Sequence, residues 1–421
     1  MSELPEVLFS SLVYGGWALG RLPDGRALFV PYLLPGDRAR VRVTESRPGY
    51  TRGQAVELLE ASPRRVTPRC RHFAECGGCH YQHLAYGDQL EVKQGVLREQ
   101  LGRLAGLSEA PLLEPAASPS PWHYRNHVQF HRTADGRPGF RAFRSLRVVP
   151  IVECHLPEPE LNDLWPRLPA APGAGRLCLR RGTEGPPAVW EDPGVTSKLV
   201  SRSKLASRSK LVSRSKLASR SKLVSPVEYV LPCGCFRVSP GSFFQVNTPM
   251  AALLAEEVIR ALESGLPGGG RRAAVLDLYC GAGLFSRALA PRVGEVVGVE
   301  MAPSACADFR HNLRGLDNVR LLPGPVEEVL PRLSLRPEAA VVDPPRAGLG
   351  RRAVRALAAL APSLLVYLSC DPATLARDAR ELARSGYRLH SVRLFDLFPQ
   401  TYHLETLSVW SRAPASAILV P

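Results

Sequence analysis

The feature that most constrains the fold is a repeated alternation of short apolar runs with helical segments, which fills the chain from residue 226 onward. The apolar runs include AVLDL, EVVGVE, AAVVD and LLVYLS, and each is followed by a helical stretch. Nearly continuous apolar strands between helices are typical of a parallel sheet that helices cover on both faces. The pattern predicts a doubly wound α/β domain over 226–421, with its ligand at the carboxyl ends of the strands.

The N-terminal region has a different texture. Residues 5–60 contain short β-rich runs separated by the turn signals GG, PDG, PGD and RPGY. This spacing predicts a small antiparallel, OB-like β-barrel over 1–62. Such barrels often bind nucleic acid through basic and aromatic side chains on one face, although the same residues also suit a solvated basic edge. The candidates are Arg38, Arg40, Arg42, Arg47, Tyr50 and Arg52.

The middle of the chain, 63–196, combines one helical stretch with strand and turn patterns, which predicts an α+β region. A repeat of six residues, SKLVSR alternating with SKLASR, follows at 197–225. Its period fits neither a helix face nor a strand face, so we interpret it as an insertion in a surface loop, with a basic RNA-binding tail as the alternative. It supplies nine positive charges of the net +15, so the rest of the chain is only mildly basic.

Four cysteines stand out by their spacing. Cys70, Cys76 and Cys79 lie together in CRHFAECGGCHYQ, and Cys154 follows downstream in IVECHL. No apolar run approaches the roughly 20 residues of a membrane-spanning helix and no signal-peptide pattern is present, so we expect a soluble, cytoplasmic protein. In that setting four thiolates suit zinc or an iron–sulfur cluster better than disulfides.

A glycine-containing loop follows the first strand of the α/β domain. Asp277 ends that strand, and Gly281 and Gly283 lead into a helix, where a backbone without side chains can approach a ligand closely. Glu300 ends the next strand, where an acid can hold ribose hydroxyls. The loop suits a dinucleotide or S-adenosylmethionine. Because the third glycine of a dinucleotide fingerprint is missing after Gly283, the methyl donor is favoured.

Three further polar residues lie at the end of a later strand or within one. Asp343 begins DPPR, Cys370 lies directly before a helix, and Glu405 stands among apolar residues of the last strand. Taken singly, each has a structural interpretation: a strand-ending turn, a buried thiol and a paired acid. Together they match one reaction, because a thiolate that adds to C6 of uracil makes C5 nucleophilic and a base must then remove the C5 proton.

Five motifs carry a resemblance to a known family. They are SFFQVN at 242–247, DLYCGAG at 277–283, VDPPRAGL at 342–349, SCDPATLARD at 369–378 and FPQTYHLET at 398–406. In this order they resemble the RNA uracil-5-methyltransferases. The resemblance covers the chain apart from the repeat and implies a Rossmann-like methyltransferase domain, an N-terminal TRAM domain and a central iron–sulfur domain.

The resemblance also implies roles for individual residues. Cys370 matches the family's nucleophile and Glu405 its proton-abstracting base. Positions that contact the methyl donor or the target uracil correspond to Gln245, Tyr279, Glu300 and Asp343. Leu284 and Pro325 depart from the family pattern at positions commonly held by Asn and an acid, and Asp371 replaces a common Asn. The cysteines Cys70, Cys76, Cys79 and Cys154 would hold a [4Fe-4S] cluster that serves structure or RNA docking.

The partners follow from the same resemblance. S-adenosylmethionine is the expected methyl donor, and RNA is the expected substrate, with 23S ribosomal RNA favoured over tRNA. No membrane and no obligate protein partner is implied. A competing hypothesis from another class is a noncatalytic RNA-binding or ribosome-assembly protein. Cys370 and Glu405, both intact, argue against it.

Overall fold

A computed structural model of the chain describes residues 4–168, 175–192 and 225–412. The predicted insertion at 197–225 therefore lies outside the described residues, apart from Ser225. The first part is a closed five-stranded barrel with the strand order β1-β2-β3-β5-β4. Its strands are β1 (Glu6–Val13), β2 (Trp17–Arg21), β3 (Ala27–Pro31), β4 (Arg38–Arg47) and β5 (Tyr50–Glu60). Alternate residues of β1 point into the barrel, which gives the strand the period of two seen in its sequence.

The central region contains a second sheet, with the strand order β10-β9-β6-β7-β8. Its elements are α1 (Tyr86–Gln100), which runs on as a π-helical turn at Leu101–Ala105, then β6 (His127–Arg132), β7 (Pro138–Arg141), β8 (Val148–Pro150), α2 (Pro159–Leu164) with a 3₁₀ turn at Trp165–Arg167, β9 (Arg176–Arg180) and β10 (Ala188–Asp192). Helix α1 packs away from this sheet. Its residues Val96 and Leu97, together with Leu101, belong to the core of the α/β domain.

The C-terminal part begins with a hairpin of β11 (Val227–Leu231) and β12 (Gly234–Val238) and continues into a seven-stranded sheet of order β15-β14-β13-β16-β17-β19-β18. The strands of this sheet are β13 (Ala274–Leu278), β14 (Glu295–Glu300), β15 (Val319–Pro323), β16 (Ala339–Val342), β17 (Leu364–Ser369), β18 (Tyr387–Phe395) and β19 (Glu405–Arg412). The helices are α3 (Thr248–Gly265), α4 (Leu284–Leu289), α5 (Pro303–Asn312), α6 (Val326–Val329), α7 (Gly350–Leu360) and α8 (Pro372–Arg384), with 3₁₀ turns at Pro267–Gly270 and Leu330–Arg332.

The seven-stranded sheet is buried on both faces. Val275 of β13 packs in one apolar core, whereas Leu276 and Leu278 pack in the core on the opposite face. Strands β13 to β17 pair in parallel, and β19 pairs antiparallel with both β17 and β18. The sheet thus has the doubly wound arrangement that the apolar runs predicted.

The strand order switches between the neighbours β13 and β16. The chain continues from β13 to β14 on one side of this point and from β16 to β17 on the other side. Doubly wound sheets bind ligands in the crevice at this point, outside the carboxyl ends of the strands. The loops after β13, β14, β16 and β17 therefore delimit the candidate site. Among the described residues, no helix combines the length and apolar character needed to cross a membrane.

Candidate active site

The strand register brings Cys370 and Glu405 together. Ser369, the last residue of β17, pairs with Thr406 of β19, and the two strands are antiparallel. The same register, continued by one pair, places Cys370 opposite Glu405. The two residues are 35 positions apart in the chain, and the antiparallel return of β19 is what makes them neighbours.

Glu405 is a buried acid with unused hydrogen-bonding capacity. Its side chain is 4% exposed, and its Oε1 atom has no hydrogen-bond partner among the described residues. Burial, and then the charge of Asp343, raise its pKa well above the ordinary value, while Arg346 acts in the opposite direction. A buried carboxyl group with a free oxygen is suited to exchange a proton with a ligand.

Cys370 lies directly before α8, where a helix dipole can stabilise a thiolate, but its other surroundings favour the neutral thiol. Burial, followed by the charges of Glu405 and Asp343, raises its pKa to about 12. The dipole of α8 does little to lower this pKa, because Oδ1 of Asp371 accepts the hydrogen bonds of Ala373 N and Thr374 N, each at 3.0 Å. The carboxylate of Asp371 thus takes up the helix dipole, and the raised pKa favours the neutral form of Cys370.

Two more acids lie on the strands that flank the switch point. Asp277 is fully buried in β13 and accepts a 2.6 Å hydrogen bond from Ser286 Oγ through its Oδ2 atom. Burial raises its pKa to about 6. Asp343 follows β16, and burial and the charge of Asp277 raise its pKa to about 7. A cation bound in this crevice would favour the ionised form of each of these acids.

The glycine loop turns sharply after β13. Tyr279 has a φ of +63°, and Gly283 has a φ of +92°. A Cβ atom on Gly283 would lie 2.4 Å from Leu313 Cδ1, so this position requires glycine for space as well as for conformation. These two conformations turn the chain from β13 into α4.

Glu300 already holds this loop in place. Its Oε2 atom accepts a 3.1 Å hydrogen bond from Gly281 N, and its Oε1 atom accepts bonds from Met301 N at 2.8 Å and Ala302 N at 2.7 Å. The carboxylate therefore connects the ends of β13 and β14. Both lone pairs of Oε1 are taken, whereas Oε2 retains one that a ribose hydroxyl could use.

Gln245 lies in a separate loop, between β12 and α3. It is 5% exposed, and its backbone carbonyl accepts a 3.0 Å hydrogen bond from Asn126 Nδ2 of the central region. Leu284, one of the departures from the family pattern, packs into the apolar core. Its side chain is therefore directed away from any ligand in the loop.

The four predicted metal-binding cysteines line a single cavity in the central region. The cavity has a volume of about 70 Å³, and Cys70, Cys76, Cys79 and Cys154 all border it. Burial raises the pKa of Cys76 to about 11 and that of Cys154 to about 12. Within the described ranges, no group of three or more His, Cys, Asp or Glu side chains is arranged to hold a metal ion.

Two residues beside the candidate site were not among the predicted site residues. Arg346 lies beside the site and lowers the pKa of both Cys370 and Glu405. Its Nη2 atom is 3.2 Å from His403 Nδ1. The second is Tyr14 of the barrel, whose hydroxyl donates a 3.0 Å hydrogen bond to Asp371 Oδ2. Arg346 could have been found from its place in DPPR, but no local signal marks Tyr14.

Comparison with known proteins identifies the family. The family described as tRNA (Uracil-5-)-methyltransferase matches residues 233–412, and the TRAM domain matches residues 5–56. An RNA methyltransferase of Streptomyces avermitilis is 36% identical, covering 97% of this chain and 98% of the relative. The 23S rRNA (uracil(1939)-C(5))-methyltransferase RlmD of Alkalilimnicola ehrlichii is 33% identical, with 97% and 96% covered. The chain belongs to the RNA uracil-5-methyltransferase family.

A solved structure agrees with this assignment. The tRNA (uracil-54, C5)-methyltransferase of Pyrococcus abyssi, in complex with S-adenosyl-L-homocysteine, superposes with a TM-score of 0.69 at 26% identity, covering 96% of this chain and 99% of that one. The resemblance, the fold class and the enzyme class inferred from the sequence are thus confirmed. The β-barrel corresponds to the TRAM domain, an RNA-binding module.

Proposed function

We propose that this protein transfers a methyl group from S-adenosylmethionine to C5 of a specific uridine in 23S ribosomal RNA, through a covalent bond between Cys370 and C6. The observation that carries the proposal is the placement of Cys370 opposite Glu405 at the carboxyl end of β17, with Asp343 beside both. A nucleophile and a base next to each other at one strand end are what a C5 substitution requires.

The reaction uses the two residues in sequence. The thiolate of Cys370 bonds to C6, and the electrons of the C5–C6 double bond move onto the O4 enolate. C5 then attacks the methyl group, and the donor's sulfur leaves as a thioether. Glu405, as a carboxylate, takes the proton from C5, the double bond re-forms and the Cys370 thiolate is released. Cys370 is regenerated, and the net product is the methylated uridine.

The crevice supplies groups for the methyl donor. The carboxylate of Glu300 is placed for the ribose hydroxyls, and the backbone of Gly281 and Gly283 allows close approach. Gln245, Tyr279 and Asp343 complete the proposed set. Because the donor carries a positive sulfonium, the raised pKa values of Asp343 and Glu405 would fall when it binds. Donor binding would thereby prepare the base for its role.

Two comparisons bear on the target. The RlmD relative acts on 23S rRNA, and its sequence identity of 33% extends over 97% of the chain. The structural neighbour, which acts on tRNA, is less similar at 26% identity. Ribosomal RNA is therefore the proposed substrate, and methylation of tRNA is the alternative outcome.

We further propose that Cys70, Cys76, Cys79 and Cys154 hold a [4Fe-4S] cluster. All four line one cavity, yet they are not arranged around a single ion within the described part of the chain. Zinc needs its sulfurs at about 2.3 Å from one centre, whereas a cluster is larger. Arg125 borders the cavity, and its buried Nε atom has no partner among the residues that the structure describes. This atom could donate to a thiolate or sulfide of the cluster.

The decisive experiment maps methylation directly. Purified protein is incubated with labelled S-adenosylmethionine and either unmodified 23S rRNA or tRNA, and the product nucleosides are identified by mass spectrometry. We expect 5-methyluridine in rRNA with wild-type protein and none with Cys370→Ala. Cys235→Ala is the matched control, since Cys235 is an exposed thiol on β12. Methylation by Cys370→Ala would refute the covalent route, and product in tRNA alone would reassign the substrate.

A further inference from the structure

The barrel touches the loop that carries Cys370. Tyr14 lies in the turn between β1 and β2, and its hydroxyl donates a hydrogen bond of 3.0 Å to Oδ2 of Asp371. The other oxygen of the same carboxylate caps α8. Asp371 follows Cys370 directly, so a residue of the barrel and the first turn of α8 share one carboxylate beside the proposed nucleophile.

The position of Tyr14 is set by contacts on both sides of the turn. Its ring packs edge-on against Tyr402 with 5.7 Å between centroids. Tyr402 in turn lies 4.5 Å from the ring of His80. A Cβ atom on Gly16 would lie only 3.1 Å from His80 Cβ, so the turn fits closely against the central region. The turn therefore has little freedom to move away from the loop.

We propose that Tyr14 is a positioning residue for methyl transfer, which holds Asp371 and thereby sets the geometry and charge around Cys370. The inference rests on the proposed nucleophilic role of Cys370. It gives the barrel a second task beside RNA binding, because a side chain of the barrel becomes part of the support of the reacting thiol.

Four charged or ionisable groups face Cys370, namely Glu405, Asp343, Arg346 and Asp371. Three of them are acids, and each raises the pKa of the thiol. A hydroxyl donor draws negative charge away from Asp371 and so weakens one of these effects. Burial and Asp371 raise the pKa of Tyr14 far above its ordinary value. The hydroxyl thus remains a donor throughout the working pH range.

The test measures capture of RNA that contains 5-fluorouridine. Fluorine at C5 replaces the proton that the base would remove, so the elimination step stops and the covalent complex persists. Its formation rate can be followed on a denaturing gel. At saturating RNA and S-adenosylmethionine, we expect Tyr14→Phe to slow capture roughly tenfold and to move the pH profile upward, with RNA affinity unchanged. Tyr402→Phe is the matched control, since its hydroxyl makes no hydrogen bond in the described part of the chain.

A double variant separates positioning from general packing. In an Asp371→Asn background the neutral amide can still cap α8, but it has no charge for Tyr14 to disperse. We expect Tyr14→Phe to have little further effect on capture rate or pH profile there. An equal effect in both backgrounds, or wild-type kinetics for the single variant, would overturn the inference. If wild-type protein forms no covalent complex, the proposed function itself fails.

Discussion

At the scale of single residues, the site is defined by groups that raise one another's pKa. Glu405 and Asp343 both raise the pKa of Cys370, and Asp343 raises that of Glu405. Two of the three groups must ionise for the proposed chemistry, the thiol to attack and Glu405 to accept a proton. Without a ligand, these shifts favour the neutral forms of Cys370 and Glu405, and a bound cation would favour their ionised forms.

The first prediction tests that balance through alkylation of Cys370. Iodoacetamide reacts with the thiolate, so at pH 8 the free protein should react slowly at this residue. S-adenosylmethionine, which carries a sulfonium charge, should speed the reaction several-fold relative to S-adenosylhomocysteine, which occupies the same space without that charge. Mass spectrometry of the peptide that contains Cys370 measures the rate. Equal rates with the two ligands would show that the sulfonium does not act on the thiol.

The second prediction concerns the base. Glu405→Gln keeps the size of the side chain but cannot accept the C5 proton, so addition and methyl transfer should proceed while release of the enzyme stops. A covalent protein–RNA complex should accumulate on a denaturing gel, with turnover reduced by at least roughly a hundredfold. Glu109→Gln, at an exposed position, is the control. Normal turnover of Glu405→Gln without the complex would remove Glu405 from the role of base.

At the scale of elements, a buried ion pair ties α1 to the α/β domain. Lys93 Nζ donates hydrogen bonds to Asp396 Oδ1 at 2.7 Å and to the carbonyl of Phe398 at 3.0 Å. Both charged side chains are almost fully buried, with 1% and 0% exposed. Asp396 directly follows β18, so the pair fixes the helix against the segment that leads to Glu405.

The third prediction follows from that pair. Lys93→Met should lower the free energy of unfolding by about 3–5 kcal/mol, because it leaves Asp396 buried and uncompensated. Asp396→Leu in the same protein should recover much of the loss. Urea denaturation followed by circular dichroism measures both, and Arg98→Met, at an exposed position on α1, should stay within about 0.5 kcal/mol of wild type. A Lys93→Met protein as stable as wild type would contradict the assignment.

The fourth prediction concerns the cysteine cavity. Protein purified without oxygen should contain about four irons per chain. Cys76→Ser should lose most of the iron and of the visible absorbance, whereas Cys235→Ser should keep both. Iron is measured with a colorimetric chelator and zinc by mass spectrometry of the metals. One zinc per chain without iron would exclude the cluster.

At the scale of the whole molecule, three regions meet at the active site. Tyr14 of the barrel contacts Asp371, His80 of the central region packs against Tyr402, and the α/β domain carries Cys370 and Glu405. Asn126 of the central region also holds the loop of Gln245. The proposed boundaries at residues 62 and 225 therefore divide the chain by pattern, while contacts across them build the site. They remain predictions.

The fifth prediction concerns the repeat. Deletion of residues 197–220 leaves ten residues between Asp192 and Val227, which span at most roughly 30 Å or a little more. Thermal stability and turnover at saturating RNA should stay at the wild-type level. The segment carries eight positive charges, so RNA binding at low salt should weaken and converge with wild type as salt rises. Loss of thermal stability would show that the repeat is a structural element.

The sequence by itself determined the local features of this protein. Buried parallel strands need continuous apolar runs, so the α/β sheet could be predicted from AVLDL, EVVGVE and LLVYLS. Turn signals at short intervals likewise indicated the barrel. A glycine with positive φ leaves a mark in the sequence, as Gly283 does, because other residues are strained there. Motif order was enough to identify the family.

Tertiary structure decided everything that depends on distance and solvent. Burial and neighbouring acids favour the neutral thiol of Cys370, at a helix end that Asp371 already caps. The packing of α1 on the α/β core could not be inferred, since an amphipathic helix does not specify which apolar surface covers it. Tyr14 lies 357 positions from Asp371. A hydrogen bond between residues so far apart leaves no periodic signal, and only the folded chain shows it.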